Sequence, residues 1–321
     1  MPILSIRHVT RYSYRKPVRF GEHRMMFRPL ESFDQRLLAT NLKISPRPSL
    51  LRYGHDVFGN CIGVARFDAP APELTFDSRA RLEHSPLPAF AGLDGEVASY
   101  GERYPFDYSE DDLPDLLRSM ARQHPDPEGQ VDRWAQAFLR PAGCTRLQTL
   151  LADITQAIYS DFRYETRIHG PAQTAAQTLA TRTGTCRDFA LLMMEAVRAL
   201  GFAAQFVSGY LYSPPLNPHV RTRLGGGHTH AWVRVYLPVY GWVEFDPTNG
   251  IVGNTDLVRV AIARDPRQAL PLWGSWSGDP GDFLGMEVDV DVVSEHDAPR
   301  GSTLNLGMDQ DLAPGIELRV A

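Results

Sequence analysis

The stretch TRTGTCRDFALLMMEAVRALGF, residues 181–202, decides how this chain is read. Gly184 permits a tight turn and Thr185 is a good N-cap, so a helix is expected to start there with Cys186 in its first turn. Phe189, Leu192, Met193, Ala196 and Leu200 then recur at the spacing of one buried helix face. Cys186 sits three residues before Phe189, on that same side and at the positive end of the helix. Unpaired N–H groups and the helix dipole favour a thiolate over a thiol at such a position. From the helix alone, a buried core cysteine is the alternative.

Working outward, helices are expected before this one at residues 109–123 (SEDDLPDLLRSMARQ), 129–143 and 146–162. The last carries Leu147, Leu150, Leu151, Ile154 and Ile158 on one face. A proline-rich connector precedes them, from Pro86 through GLDGEV at 92–97. The first ninety or so residues read as short β-strands punctuated by Pro and Gly, among them ILSIRHVTRYSY (3–14), LATNLKISP (38–46), CIGVARFD (61–68) and LTFDSRARLEH (74–84). That pattern favours a sandwich or open barrel. The arginines at 7, 11, 15, 19, 24 and 28 fit a charged, solvated strand face. After the cysteine helix come strand patterns at 203–213, 228–238, 241–248, 258–263 and 284–296, with an irregular segment at 264–283 and an edge strand expected at 315–321.

The second strand pair reads as a hairpin turning at Val239 and Tyr240. On one strand face, side chains recur every second residue, so His228, His230, Trp232 and Arg234 are expected to share a side. If Leu237 lies opposite Gly241, Asp246 falls opposite Trp232 and becomes the diagonal neighbour of His230. A slip of one residue would separate the two, which makes the register a strict condition. If it holds, His230 can take the Cys186 proton while Asp246 orients the imidazole.

The blocks TGTCRDFALLMMEAVRALGFAAQFVSGYL, HTHAWVRVYLPVYGW and EFDPTNG together resemble the transglutaminase-like core of the papain-like superfamily. The segments IRHVTRYSYRKPVRFGEHRMMFRP, ISPRP and HDVFGN are similar to the β-rich domain that precedes this core in bacterial members. The resemblance implies a Cys186–His230–Asp246 triad and acyl transfer through a thioester, to water or to an amine. It also implies a side-chain oxyanion donor upstream of the cysteine, for which Tyr164 is the candidate, with core packing as the other reading of that tyrosine. Trp232 is expected to shield the imidazole from water. Arg187 and Asp188 are expected to tie the helix start to its neighbours, and Gly225–Gly227 to form a loop gating the cleft.

The expected fold is α+β. A β-sandwich-like domain (1–90) precedes a connector with helices (91–145) and a papain-like, transglutaminase-like core (146–270) whose cysteine helix packs on an antiparallel sheet. C-terminal strands (271–321) then close the core or return to the first domain. The expected function is a cysteine-dependent amide or peptide hydrolase acting on a peptide or protein amide. Alternatives are a protein-glutamine transglutaminase and a silent binding or scaffold module. Cys186, His228, His230 and Asp246 are ligand types that zinc accepts, but no C-x-x-C or H-x-x-x-H companion exists, and no calcium-loop motif occurs. No metal or cofactor is expected. A net charge of −5 argues against nucleic acid as a partner. No apolar run long enough for a membrane span and no signal-peptide pattern is apparent, so a cytoplasmic location is expected. The three cysteines, Cys61, Cys144 and Cys186, are an odd number at unrelated spacings and do not read as a disulfide framework.

Overall fold

A computed structural model describes residues 2–86, 89–90, 102–140, 145–167, 170–213 and 223–295. Parts of the expected connector, Cys144 and the expected strand at 315–321 lie outside the described residues. In the first domain, β1 (Ile3–Met25), β2 (Gln35–Ser45), β3 (Leu50–His55), β4 (Cys61–Arg66) and β5 (Ala71–His84) are ordered β2-β5-β1-β4-β3. The short runs expected at the start are in fact one 23-residue strand. Its first half pairs with β5, and its second half, after a register break between Ser13 and Val18, pairs with β4. Pro17 lies in that break, where the missing N–H costs no ladder bond. The two halves enclose an apolar core that includes Tyr14, Phe20, Leu74 and Phe76. A strand that passes between two layers in this way makes a sandwich corner. Arg7 and Arg11 lie on the outer face, paired with Asp77 at 2.9 Å and Glu73 at 3.6 Å.

The central region holds β6 (Arg103–Tyr104), α1 (Leu113–Met120), α2 (Gln130–Gln136), β7 (Thr145–Arg146) and α3 (Leu147–Asp161). The five apolar residues expected on one face of α3 are all buried. Then follow β8 (Arg163–Tyr164), α4 (Ala175–Thr181), β9 (Thr183–Gly184) and α5 (Cys186–Ala199). Helix α4 was not anticipated. Its signal was present in the capping box, in which the Thr174 hydroxyl accepts from the Gln177 N–H and Gln177 Oε1 accepts from the Thr174 N–H.

The cysteine helix departs from the expected single buried face, because nearly its whole circumference is buried. One side packs on the sheet and the others on α2, α3 and α4. Its charged residues are therefore buried in pairs. Glu195 accepts from Arg198 at 2.8 Å and from Arg122 at 2.8 Å, and Arg198 also caps the carbonyls of Ser119, Ala204 and Arg264. Charge is tolerated in a core only when it is satisfied in this way.

The core sheet is antiparallel in the order β13-β12-β11-β10-β14, from β10 (Ala204–Leu211), β11 (His230–Leu237), β12 (Gly241–Asp246), β13 (Ile251–Val252) and β14 (Leu257–Ala263). Two further strands, β15 (Leu272–Ser277) and β16 (Phe283–Ser294), return to the first domain, where both pair with β1. β15 lies within the segment expected to be irregular. Gly274 interrupts its side-chain alternation, yet the glycine is required, since a Cβ there would sit 2.1 Å from the ring of its partner His23.

The first domain docks on β14, an edge strand of the core sheet, and two side-chain amides take the place of a neighbouring strand. Gln35 donates to the Arg259 carbonyl and accepts from its N–H, both at 2.9 Å. Asn60 does the same for Ile262 at 2.7 and 2.8 Å. Edge groups that would otherwise be open to pairing are thereby satisfied. Among the described residues, no helix is long and apolar enough to cross a membrane.

Candidate active site

Three local structures bring the site together. The first is the start of α5. Tyr164 pairs in parallel with Gly184, which fixes the turn before the helix. Asp188 reaches back to accept from the Thr185 N–H at 2.8 Å and its hydroxyl at 2.9 Å. The same carboxylate accepts from Arg167 at 2.8 Å and from the Gln173 N–H at 2.7 Å, while Arg187 donates to the Arg167 carbonyl at 3.3 Å. Asp188 thus clamps the turn that presents Cys186. At this first helical position the Cys186 N–H has no partner within the helix.

The second is the hairpin. Leu237 lies opposite Gly241 and Val233 opposite Phe245, so the register is even and Asp246 falls opposite Trp232. His230 Nε2 and Asp246 Oδ2 are 2.8 Å apart. β11 begins at His230, so His228 belongs to the preceding turn rather than to the strand, although it lines the same cleft. Ala231, Val233 and Val235 pack toward α5, while Trp232 lies on the opposite face of the sheet.

The third is the turn after β12. Asp246 is fully buried and accepts from the Thr248 N–H at 2.9 Å and from Asn249 Nδ2 at 2.8 Å. Asn249 also holds the glycine loop, accepting from the Leu224 N–H at 2.7 Å and donating to its carbonyl at 3.1 Å. Sequence reasoning gave Asp246 its place beside His230 but assigned Asn249 no role and missed this clamp. Farther along the loop, the Gly227 carbonyl accepts from the Val290 N–H at 3.0 Å, which ties the loop to the first domain's sheet.

The imidazole is 1% exposed and Cys186 7%. His230 Nδ1 has no hydrogen-bond partner among the described residues, and Cys186 is a neighbour of the imidazole. Burial alone would lower the pKa of His230. The charge and hydrogen bond of Asp246, helped by Cys186, outweigh it and raise the pKa to about 10. Burial likewise pushes Asp246 up, but His230, Asn249 and Thr248 hold it below the usual carboxylate range. With Asp246 on Nε2, Nδ1 is the ring nitrogen left free. Gly225 lies against the ring, with φ +88° and a Cβ position 2.7 Å from Nδ1.

Trp232 is fully buried and stacks on His230 with ring centroids 6.0 Å apart. Its Nε1 donates to Glu244 at 2.9 Å, Glu244 accepts from Arg259 at 2.6 Å, and Arg259 pairs with Asp34 of the first domain. Tyr164 lines the same cavity as Cys186 and His230. Burial pushes its hydroxyl up to about 12, with Cys186 and Asp246 adding and Arg187 opposing, so it stays protonated and able to donate. Among the described residues, no set of three His, Cys, Asp or Glu side chains converges as a metal site.

Residues 4–83 match the bacterial transglutaminase-like N-terminal region, and residues 134–247 match the transglutaminase-like superfamily. Over 316 residues the chain is 29% identical to an uncharacterised protein of Mycobacterium tuberculosis, covering 91% of this chain and 93% of that one. A 132-residue stretch, 39% of this chain and 18% of the other, is 31% identical to a protein-glutamine gamma-glutamyltransferase of Pseudomonas aeruginosa. In fold, the chain is similar to a solved Cytophaga hutchinsonii protein provisionally described as a cysteine protease. That likeness has a TM-score of 0.66 at 20% identity and covers 92% of this chain and 91% of that one.

Proposed function

Because this chain belongs to the transglutaminase-like superfamily, with the bacterial N-terminal region ahead of its core, we propose that it is a cysteine-dependent amide hydrolase with a Cys186–His230–Asp246 triad. The observation that carries this reading is His230, bound through Nε2 to a buried carboxylate with Nδ1 left free, and neighboured by a cysteine at a helix start. Proton transfer from Sγ to Nδ1 gives a thiolate beside an imidazolium, which Asp246 stabilises. The sulfur attacks the amide carbonyl carbon. The oxyanion is met by the Cys186 N–H and the Tyr164 hydroxyl. The C–N bond breaks as Nδ1–H protonates the departing amine, leaving a thioester. Water then attacks the thioester, His230 takes its proton, and the acid is released with the thiol restored.

Water is favoured as the acceptor because Cys186 opens on a small chamber, about 270 Å³. An amine acceptor is the second reading, supported by the likeness to the Pseudomonas aeruginosa transferase.

The test is alkylation by iodoacetamide at neutral pH, mapped to individual cysteines by mass spectrometry. Cys186 should react faster than Cys61, whose thiol burial pushes up, and His230→Ala should abolish that advantage. Equal reactivity of the two cysteines would overturn the nucleophile assignment. Peptides incubated with a primary amine then separate the two acceptors, with free acids expected to exceed amine adducts.

A further inference from the structure

The chamber on which Cys186 opens is not built from the core alone. One wall is the first domain. Along β1, Leu4 and Ile6 on the inward face dock against the core, and the same face continues as His8, Thr10 and Tyr12. Antiparallel pairing sets Val288 opposite Thr10 and Met286 opposite Tyr12, so two cross-strand rows from β1 and β16 reach the cavity together. Leu272, at the start of β15, adds to the same lining. Strands from both ends of the described chain therefore meet at the nucleophile.

The chemistry of this wall is selective. Among the described residues, no Asp or Glu lines the cavity. The wall's polar members are His8, Thr10 and Tyr12, none of them charged: His8 has both ring nitrogens occupied, by the Tyr210 hydroxyl at 3.0 Å and the Thr10 hydroxyl at 3.1 Å, and burial keeps it neutral. The guanidiniums that reach the cavity, Arg167 and Arg187, come from the core side, and Arg167 is already neutralised by Asp188. A charged substrate group placed against β1 and β16 would lose water and find no counter-charge. An apolar one would lose water at a gain. The volume, about 270 Å³, is just below the roughly 300 Å³ at which pockets for whole small molecules begin. It suits one side chain and the adjoining amide.

Resting on the hydrolase reading above, we propose that the Thr10–Val288 and Tyr12–Met286 rows form a subsite for an uncharged, apolar side chain on the acyl side of the scissile amide. The acyl group stays bonded to Sγ through both half-reactions, so it benefits from a chamber beside the sulfur, whereas the amine has to leave. The role of the first domain would then be to choose the acyl donor.

Acetyl-aminoacyl chloromethyl ketones probe this directly, since Sγ displaces chloride from the methylene and the adduct can be weighed on Cys186. In the intact protein the Leu and Phe reagents should label Cys186 at least tenfold faster than Gly, Asp or Lys, within the roughly 10–200-fold that apolar pockets supply per group. Met286→Glu, on a half-buried strand position, should raise the Lys reagent relative to Leu by about tenfold, a reversal that loss of fold cannot imitate. Fast labelling with no side-chain preference, or equal slowing of all five reagents by Met286→Glu, overturns the subsite and leaves the nucleophile standing. No labelling by any reagent, with iodoacetamide reacting at Cys186 no faster than at Cys61, overturns the hydrolase reading and the subsite with it.

Discussion

Replacing Gly225 with alanine places a methyl group 2.7 Å from His230 Nδ1, the ring nitrogen that Asp246 leaves free. Ordinary van der Waals contact begins near 3.4 Å, so something has to yield by about 0.7 Å. The ring resists, being tied to Asp246 at 2.8 Å and stacked on Trp232, while the loop is tied through Leu224 and Gly227. The backbone adds its own cost, since φ +88° strains an L-residue by about 1–2 kcal/mol. A misplacement approaching 1 Å in a reacting group costs on the order of 100-fold. Alkylation of Cys186 by iodoacetamide should therefore slow by about 10–100-fold in Gly225→Ala. The neighbouring glycines supply the controls. Gly227 has φ +82° with open space around its Cβ position, so Gly227→Ala should lower the urea midpoint but leave alkylation near wild type. Gly226 lies outside the positive-φ region and its Cβ position is 3.4 Å from the Ser213 hydroxyl, so alanine there should change neither. Equal slowing by all three substitutions would mean that loop flexibility matters rather than the seat against the imidazole. A wild-type rate in Gly225→Ala would refute the reasoning outright.

Two further perturbations test the supports of the site. Asn249→Ala removes one of three hydrogen bonds to the buried Asp246 and both bonds to Leu224. Stability should fall by about 1.5–3 kcal/mol, the range for hydrogen bonds to charged groups; an unchanged urea midpoint would show that the clamp carries no weight. His8 is buried between the first domain and Tyr210, and burial lowers its pKa from 6.5 to about 4. Its unfolded form binds a proton first, so the stability it contributes is fully present above about pH 6.5 and is lost as pH falls toward 4. The loss over that window is about 3 kcal/mol at ~1.4 kcal/mol per pH unit. His8→Gln should flatten this part of the acid-stability curve, and a slope identical to wild type would sink the assignment.

Much of the site was legible because it rests on local rules. The Gly184–Thr185 turn, the N-cap and the apolar spacing place Cys186 at a helix start. Strand periodicity reduced the pairing of Asp246 with His230 to one condition, an even hairpin register, and the structure meets it. Asn249 was hidden by its own turn chemistry, because D-P-T-N reads as a turn whether or not the amide also grips a neighbouring loop. The trade between Glu195 and Arg198 was equally hidden, since charged residues three apart on a helix ordinarily mark a solvated face.

By itself the sequence determined the helix start at Cys186 and the strands that carry His230 and Asp246, and it stated the register on which their meeting depends. These follow from contacts within a few residues, where periodicity and capping leave a readable trace. Only the tertiary structure decided that Gln35 and Asn60 would complete the edge of β14, that Gly225 would lie against His230, and that β1 and β16 would wall the cleft. Those contacts join residues up to hundreds of positions apart. Their partners are chosen by shape and by the need to satisfy buried polar groups, and neither requirement has a period along the chain.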